Sequence, residues 1–329
     1  MIITLTANPS IDRTVVLTEP LERGAVHRLA SVGTQAAGKG VNISRAAVAA
    51  GEPTLAVLPA AEHDPYVQGL VADQVPVRPV PPAGGVRINL AITEPDGTTT
   101  KLNSPGDTVG PADLELLGSA LVEAARGCGH DDWVVMAGSV PPGTPADWYA
   151  GLVRDLRELR SSDGQGGHGP RVAVDTSDAP LAALVAGLPG SAPHLVKPNS
   201  DELASLTGAD PLALEGDPAA TVAAATSLVE RGIESVLATL GGEGAVLVTA
   251  DGAWHATPPP TEVVSTVGAG DSSLFGFLLG ERRGLGPADR LALAVAYGSA
   301  AAGLPGTTIP LPAQVDPTQV RVRQLHTTS

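Results

Sequence analysis

The chain has 329 residues, of which 43% are hydrophobic, so it can form one large folded domain or two smaller ones. Acidic residues outnumber basic ones by 35 to 20, and the formal net charge is -15. Because sequence-independent binding to DNA, RNA or anionic membranes needs a basic surface, this balance argues against all three as partners.

The start of the chain and its cysteine content bear on the compartment. Residues 1–5 lack the basic and long apolar segments of a signal peptide and predict a strand instead. Residues 291–304 are apolar but too short to span a bilayer. The lone Cys128 excludes an internal disulfide framework. We therefore expect a soluble cytoplasmic protein.

Short apolar runs alternate along the chain with longer runs rich in alanine and leucine. The short runs predict strands at residues 2–5, 133–136, 172–174, 195–196, 236–238 and 245–248. The longer runs predict helices at residues 111–125, 146–159, 180–186, 201–206 and 219–231. This alternation indicates an α/β fold, a doubly wound and mostly parallel sheet with helices on both faces. Residues 161–170 are polar and glycine-rich, which predicts a surface loop within that domain.

Two stretches, residues 12–32 and 86–102, break this alternation. In the second, apolar and polar residues alternate until a turn at residues 94–97, after which the chain returns. We predict that both stretches form a small β-sheet inserted into a core domain made of residues 1–11, 33–85 and 103–329.

Residues that could bind a ligand or take part in catalysis follow several predicted strands. They are Gly138, Ser139, Asp175, Lys197, Asn199, Thr239 and Gly241. In open α/β sheets, ligands bind at the carboxyl ends of the strands, so these positions favour a ligand site. The chain has only three lysines, Lys39, Lys101 and Lys197, and each therefore needs its own explanation.

A glycine-rich turn with an acid, Gly268–Asp271, precedes an apolar helical run. Glycines let backbone N–H groups face a ligand, and a helix N-terminus adds positive potential, so the segment predicts an anion site with Asp271 beside it. A plain glycine turn with Asp271 as a helix cap explains the same four residues equally well.

Two further segments are ambiguous when taken alone. Residues 33–40 approach a P-loop, but Gly40 stands where the pattern needs a hydroxyl, so we reject a P-loop nucleotidase. Lys39 then lies at a glycine-rich helix start with Asn42 one turn on. Asn199 and Glu202 can orient a hydrated Mg²⁺, yet on their own they favour an ordinary capping box.

Together these segments resemble the phosphosugar branch of the ribokinase-like (PfkB) carbohydrate kinases. The resemblance covers about residues 1–305 and follows the order of the family. It is carried by residues 4–12, 37–42, 87–89, 137–141, 195–199 with Glu202, 239–245 and 263–272. The alanine at position 37 is common in this branch, whereas residues 58–64 depart from the usual glycine-rich turn and the tail after Pro305 matches nothing usable.

The resemblance implies a large α/β domain with a small β-sheet lid and transfer of the ATP γ-phosphate to the 6-hydroxyl of fructose 1-phosphate. It makes Asp271 the general base, with the N–H groups of Gly268, Ala269 and Gly270 stabilising the developing charge. It also implies a nucleotide site and a magnesium site, the latter acting through water. The nucleotide residues would be Lys197, Asn199, Thr239, Gly241, Gly244, Gly268 and Gly270, and the magnesium residues Asn199 and Glu202.

The phosphosugar would contact residues on both the core and the lid. These are Asp12, Gly38, Lys39, Asn42, Arg87, Asn89 and Ser139. Among them, Lys39 and Arg87 are our choices for the phosphate that the sugar already carries, because a dianion in an acidic protein needs paired cations. We expect Lys101 to be a solvated lid residue.

Other functions stay open on the sequence alone. Tagatose 6-phosphate and fructose 6-phosphate are alternative substrates for the same chemistry. A catalytically inactive sugar-phosphate sensor is an alternative of a different class, although such a sensor would not need Asp271. By analogy with the fold, the lid also suggests a homodimer.

Overall fold

The computed structural model describes residues 1–81, 84–159 and 169–325. The strands are β1 (Ile2–Leu5), β2 (Ser10–Leu17), β3 (Leu29–Ala37), β4 (Thr54–Pro59), β5 (Val77–Val80), β6 (Arg87–Thr93), β7 (Thr99–Asn103), β8 (Trp133–Ala137), β9 (Arg171–Asp175), β10 (Leu195–Val196), β11 (Ser235–Thr239), β12 (Ala245–Thr249), β13 (Gly252–Thr257) and β14 (Arg321–Leu325). The helices are α1 (Lys39–Ala49), α2 (Pro65–Ala72), α3 (Pro111–Ala125), α4 (Trp148–Glu158), α5 (Asp178–Ala186), α6 (Ser200–Thr207), α7 (Pro211–Gly216), α8 (Pro218–Val229), α9 (Ala269–Arg282) and α10 (Pro287–Ala302).

The main sheet has ten strands in the order β14-β13-β12-β11-β10-β9-β8-β1-β4-β5. It is parallel from β11 to β5 and antiparallel from β11 to β14. Side chains alternate between its faces, so Ile3 packs with α3, α4 and α8 while Ile2 packs with α1, α9 and α10. The predicted doubly wound, mostly parallel sheet is confirmed.

The predicted elements of this sheet are present with small shifts at their ends. Helix α3 begins at Pro111 and ends at Ala125 as predicted, because Gly110 and Pro111 suit a helix start. Strands β4, β5, β13 and β14 were not among the predicted strands. Residues 161–168 of the predicted loop lie outside the described residues.

The smaller sheet has four strands in the order β3-β2-β6-β7. Strand β2 pairs antiparallel with β3 and parallel with β6, and β6 forms a hairpin with β7. Most of β3 and all of β7 are exposed. The predicted separate sheet is therefore confirmed, while its status as a domain with the predicted boundaries stays a prediction. Among the described helices, none is long and apolar enough to cross a membrane.

Candidate active site

Two cavities adjoin each other where the parallel strands of the main sheet end. The larger cavity, of about 660 Å³, lies against the β11–β12 turn and residues 258–261. The smaller cavity, of about 480 Å³, lies between the main sheet and the smaller sheet. Both are lined by Asn199, Thr239, Thr266 and Gly270. Ligands in the two cavities would therefore meet at the N-terminus of α9.

The N-terminus of α9 is built as the glycine motif predicts. Gly268 precedes the helix with φ of 80°, a left-handed conformation that favours glycine. The Ala269 N–H makes a long 3.4 Å hydrogen bond to the Thr266 carbonyl, and the Ser272 N–H bonds to the Gly268 carbonyl. Asp271 follows in the first helical turn, where the helix dipole favours its negative charge.

Asp271 is buried, with 6% of its surface exposed. Burial raises its pKa to about 6, and the nearby Asp175 carboxylate acts in the same direction. Lys39, Lys197 and the 2.8 Å hydrogen bond from Asn42 Nδ2 to Asp271 Oδ2 oppose this rise. The result is a carboxylate that is largely ionised at neutral pH yet more basic than an exposed aspartate, as a general base requires.

Asp175 joins the two lysines that the sequence singled out. It ends β9, is fully buried, and its Oδ1 and Oδ2 lie 3.0 Å from Lys39 Nζ and 3.2 Å from Lys197 Nζ. Burial alone would raise the Asp175 pKa, but the two lysines lower it below its usual value. Burial likewise opposes the charge of Lys39, and Asp175 and Asp271 raise the Lys39 pKa despite it. Lys39 therefore stays protonated beside the smaller cavity.

The segment before α1 brings the chain close to β1. Gly38 has φ of 143°, and a Cβ built there would lie 2.5 Å from Thr6 Cγ2. Only glycine fits this approach, which explains the glycine that precedes Lys39. Asn42 lies one turn into α1 and faces Asp271.

The smaller sheet contributes one wall of the smaller cavity. Asp12 Oδ1 accepts hydrogen bonds from Ser10 Oγ at 2.8 Å and from Asn89 Nδ2 at 3.0 Å. Arg87 is half-buried in the same wall, and its Nη1 donates to the Ser104 carbonyl at 2.8 Å. Burial lowers the Arg87 pKa, and Asp12 partly offsets this effect.

Asn199 and Glu202 form the capping box that their spacing permits. The Asn199 N–H donates to Glu202 Oε2 at 2.9 Å, and the Glu202 N–H donates to Asn199 Oδ1 at 2.8 Å. Within the described ranges there is no cluster of three or more His, Cys, Asp or Glu that could hold a metal. One carboxylate and one amide suit a Mg²⁺ that keeps several waters and binds substrate phosphates, so the residues fit such an ion.

The predicted site residues lie at the end of the main sheet where the parallel strands terminate, although some line a different cavity from the one expected. The smaller cavity is lined by every predicted phosphosugar residue: Asp12, Gly38, Lys39, Asn42, Arg87, Asn89 and Ser139. Lys197 and Gly268, predicted for the nucleotide, also line the smaller cavity, whereas Gly241 and Gly244 line the larger one. A Cβ at Gly244 would lie 1.9 Å from the Ala256 carbonyl oxygen, so this glycine also has a structural cause.

Three features of the site were not predicted. The sequence indicated Asp175 as a rim residue but gave no sign that it joins both lysines. Thr307, from the tail that matched nothing usable, lines the smaller cavity and donates to Gln35 Oε1 at 2.7 Å. Behind Asn42, the buried Arg45 pairs with Asp73, whose side chain is exposed. The available sequence signal for this pair was a single arginine among the mostly small and apolar residues 40–49.

Comparison with solved structures identifies the fold as that of a phosphofructokinase. Phosphofructokinase-2 from Escherichia coli, in complex with substrates and products, superposes with a TM-score of 0.81 at 28% identity, over 95% of this chain and 96% of that chain. Another structure of the same enzyme, in complex with fructose-6-phosphate, gives a TM-score of 0.78 at 27% identity over 93% and 95% of the two chains.

Sequence comparison then identifies the family. The family model for pfkB family carbohydrate kinases matches residues 5–314, and the chain belongs to this family. A 1-phosphofructokinase of Haloferax volcanii is 36% identical over 94% of this chain and 93% of its own length. A 1-phosphofructokinase of Xanthomonas campestris is 38% identical over 83% and 82% of the two chains.

Proposed function

We propose that this protein is a 1-phosphofructokinase, which transfers the γ-phosphate of MgATP to the 6-hydroxyl of fructose 1-phosphate and yields fructose 1,6-bisphosphate and ADP. The proposal rests on one observation above all. Two adjoining cavities share residues at the N-terminus of α9, where the buried Asp271 lies close enough to Lys39 and Lys197 to feel their charge. The names of relatives at 36% and 38% identity support the choice of sugar.

We assign the nucleotide to the larger cavity, with its γ-phosphate at the shared residues. Gly241 and Gly244 turn the chain along this cavity, and both have positive φ values. A Cβ at Gly270 would lie 3.4 Å from Lys197 Nζ, so this lysine is close to the shared boundary. Its charge suits a phosphate that is leaving ATP.

We assign the phosphosugar to the smaller cavity, with its own phosphate between Lys39 and Arg87. Both cations line this cavity, one from α1 and one from the smaller sheet. A dianion held between them is neutralised from two sides. The sugar hydroxyls would then face Asp12 and Asn89, which are already hydrogen-bonded to each other.

In this arrangement Asp271 takes the proton of the 6-hydroxyl. Its Oδ2 accepts the Asn42 hydrogen bond, so we assign Oδ1 to the substrate proton. As the hydroxyl oxygen bonds to the γ-phosphorus, the bond from that phosphorus to the β-phosphate oxygen breaks and ADP leaves. The backbone N–H groups at Gly268, Ala269 and Gly270 stabilise the charge on the transferred group, since a helix N-terminus attracts anions.

Asn199 and Glu202 would hold Mg²⁺ through water molecules at the boundary between the cavities. When bound, the ion neutralises phosphate charge and orients the nucleotide.

A second candidate is phosphorylation of a sugar 6-phosphate. One observation favours it: phosphofructokinase-2 from Escherichia coli, solved with fructose-6-phosphate, superposes over 93% of this chain. Its identity of 27% is below that of the relatives named 1-phosphofructokinase. The position of the bound phosphate relative to the accepting hydroxyl separates the two functions.

The test is a substrate comparison with purified protein and MgATP, following ADP production. Fructose 1-phosphate, fructose 6-phosphate and tagatose 6-phosphate are compared by kcat/KM, with the Asp271→Asn variant as a control for contaminating kinases. We expect the highest kcat/KM with fructose 1-phosphate. Preference for a 6-phosphate would refute the choice of sugar, and no turnover with any of them would favour a sugar-phosphate sensor.

We also propose a homodimer that forms through the smaller sheet. This sheet exposes the large apolar side chains of Val32, Ile88 and Leu102, and β3 and β7 are largely solvent-accessible. Such a surface is typical of an interface. Light scattering should give twice the mass of 33.0 kDa, and a monomer at working concentration would refute the proposal.

A further inference from the structure

Arg45 is a buried cation that the catalytic scheme above does not use. It lies in α1, three residues after Asn42, and only 8% of it is exposed. Its Nε and Nη2 lie 2.9 Å and 2.8 Å from Oδ2 of Asp73, the residue that follows α2. A buried arginine is costly unless it is paired, and here its partner Asp73 lines neither cavity.

The remaining contact of Arg45 points toward the site. Its Nη1 donates to Asn42 Oδ1 at 3.4 Å, while Asn42 Nδ2 donates to Asp271 Oδ2 at 2.8 Å. The three side chains and Asp73 thus form a chain of contacts from α2 through α1 to α9. All of its inner members, Arg45, Asn42 and Asp271, are buried.

The orientation of the Asn42 amide decides what Asp271 experiences. An amide has a donor end and an acceptor end of nearly the same shape, so a flip would turn Oδ1 toward the carboxylate. A guanidinium can only donate, and it therefore accepts only the Oδ1 end as its neighbour. With Arg45 in place, the donor end is left for Asp271.

We propose that Arg45, anchored by Asp73, is a positioning residue that keeps the Asn42 amide donating to Asp271. The inference rests on the proposed function, in which Asp271 accepts the substrate proton. The hydrogen bond does two things in that role: it holds Oδ2 so that Oδ1 faces the substrate, and it stabilises the ionised carboxylate.

Asp271 is poised between opposing groups, so the loss of one donor has a measurable consequence. Asp175 at the end of β9 disfavours its charge, while Lys39 from α1, Lys197 after β10 and the Asn42 amide favour it. Without Arg45 the amide is free to flip, and one of the favourable contributions becomes unfavourable. The acidic limb of the rate profile should then move to higher pH.

The test is a double-mutant cycle between Arg45→Met and Asn42→Ala, measured as kcat with fructose 1-phosphate and MgATP. We expect Arg45→Met alone to lower kcat by about ten- to a hundredfold, the range for a hydrogen bond to a charged group. In the Asn42→Ala background the same substitution should change kcat by less than about twofold, because the two act through one contact. Effects that multiply would overturn the proposal.

A titration that does not depend on turnover separates this inference from the proposed function. The Asp271 carboxyl is followed by carbon-13 NMR, assigned by its loss in Asp271→Asn. Its pKa should rise by about one unit in Arg45→Met relative to the unsubstituted protein. An unchanged pKa would overturn the positioning role even if the enzyme turns over, whereas an inactive protein with the expected shift would contradict only the proposed function.

Arg282→Met is the matched control. It removes the arginine that ends α9, whose Nε donates to Glu52 Oε2 at 3.0 Å. It should lower Tm while leaving the Asp271 pKa and kcat unchanged. If Arg45→Met does not fold, Asp73→Asn weakens the same anchor and keeps the arginine. That variant should raise the Asp271 pKa in the same direction, and no rise would overturn the proposal.

Discussion

The two edges of the main sheet both carry charged clusters, but the clusters are built differently. At the edge where the parallel strands begin, Arg171 and Arg290 pair with Glu281, and Arg282 pairs with Glu52 and Asp132. Each of these pairs uses an arginine. At the edge where the strands end, Lys39 and Lys197 share one carboxylate, and a second carboxylate lies close to them.

On the proposed function, the difference separates charges that hold the fold from charges that would face a ligand. An arginine fork fixes carboxylates from neighbouring elements in one geometry, which suits a structural pair. A lysine presents a compact charge on a flexible stem, so two lysines held by Asp175 can also turn toward a phosphate. In a protein of net charge -15, two of the three lysines thus lie at the edge where the cavities are.

The largest expected effect distinguishes one aspartate at each edge. Asp271→Asn should lower kcat by about 10²–10⁴-fold, the range for loss of a general base, while MgATP still binds. Asp132→Asn, the matched change at the other edge, removes a partner of Arg282 and of the N-terminal amine. Steady-state kinetics of Asp132→Asn should give a nearly unchanged kcat, and thermal unfolding should give a lowered Tm. An Asp271→Asn enzyme with most of its kcat would remove Asp271 from the role of base.

The pH dependence of the reaction sharpens the same contrast. Because the Asp271 pKa is raised to about 6, kcat/KM should fall by about tenfold per unit as pH drops below that value. The lowered pKa of Asp175 and the raised pKa of Lys39 place their titrations outside this range. A profile measured from about pH 4.5 to about pH 8, which brackets this pKa, should therefore show one acidic limb. A flat profile across pH 6 would contradict the assignment.

The Asp271 carboxyl should also make protein stability depend on pH, in the direction opposite to activity: stability falls as pH rises. The folded-state pKa of Asp271 lies above the unfolded value, so its contribution to stability is fully present at low pH and is lost as pH rises through about 6. Asp271→Asn removes that loss, so it should raise Tm more at pH 8 than at pH 4. The corresponding difference in unfolding free energy is at most about 3 kcal/mol. An equal Tm change at both pH values in thermal unfolding would show that the folded-state pKa is not raised.

The smallest effect is expected at the third lysine. Lys101 lies on the fully exposed strand β7, away from the residues that line either cavity. Lys101→Ala should therefore leave KM for the phosphosugar within about twofold, as for most exposed side chains. A large rise in KM would mean that the lysine reaches the substrate when the smaller sheet moves.

The sequence predicted what depends on local pattern. The Pro111 start of α3, the glycine turn before Asp271 and the strand ends near Lys197 follow from rules that act over a few residues. The smaller sheet was predicted from residue alternation, which marks a strand with two different faces.

Contacts between distant segments could not be predicted in this way. Asp175 is 136 residues from Lys39, and their pairing depends on how β9 and α1 are placed around the sheet. Thr307 reaches Gln35 across 272 residues, from a tail without a recognisable motif. The Arg45–Asp73 pair depends on the packing of α1 against its neighbours, which periodicity alone does not define.

The most direct test of the contrast between the two edges is calorimetric titration of fructose 1-phosphate and MgATP into Lys39→Met and Arg290→Met. Lys39→Met should weaken fructose 1-phosphate binding by about tenfold or more, since it removes a cation at a phosphate. Arg290→Met, which removes a partner of Glu281 at the opposite edge, should bind both ligands with unchanged Kd. Equal loss of phosphosugar affinity in the two variants would contradict the division between fold-holding and ligand-facing charges.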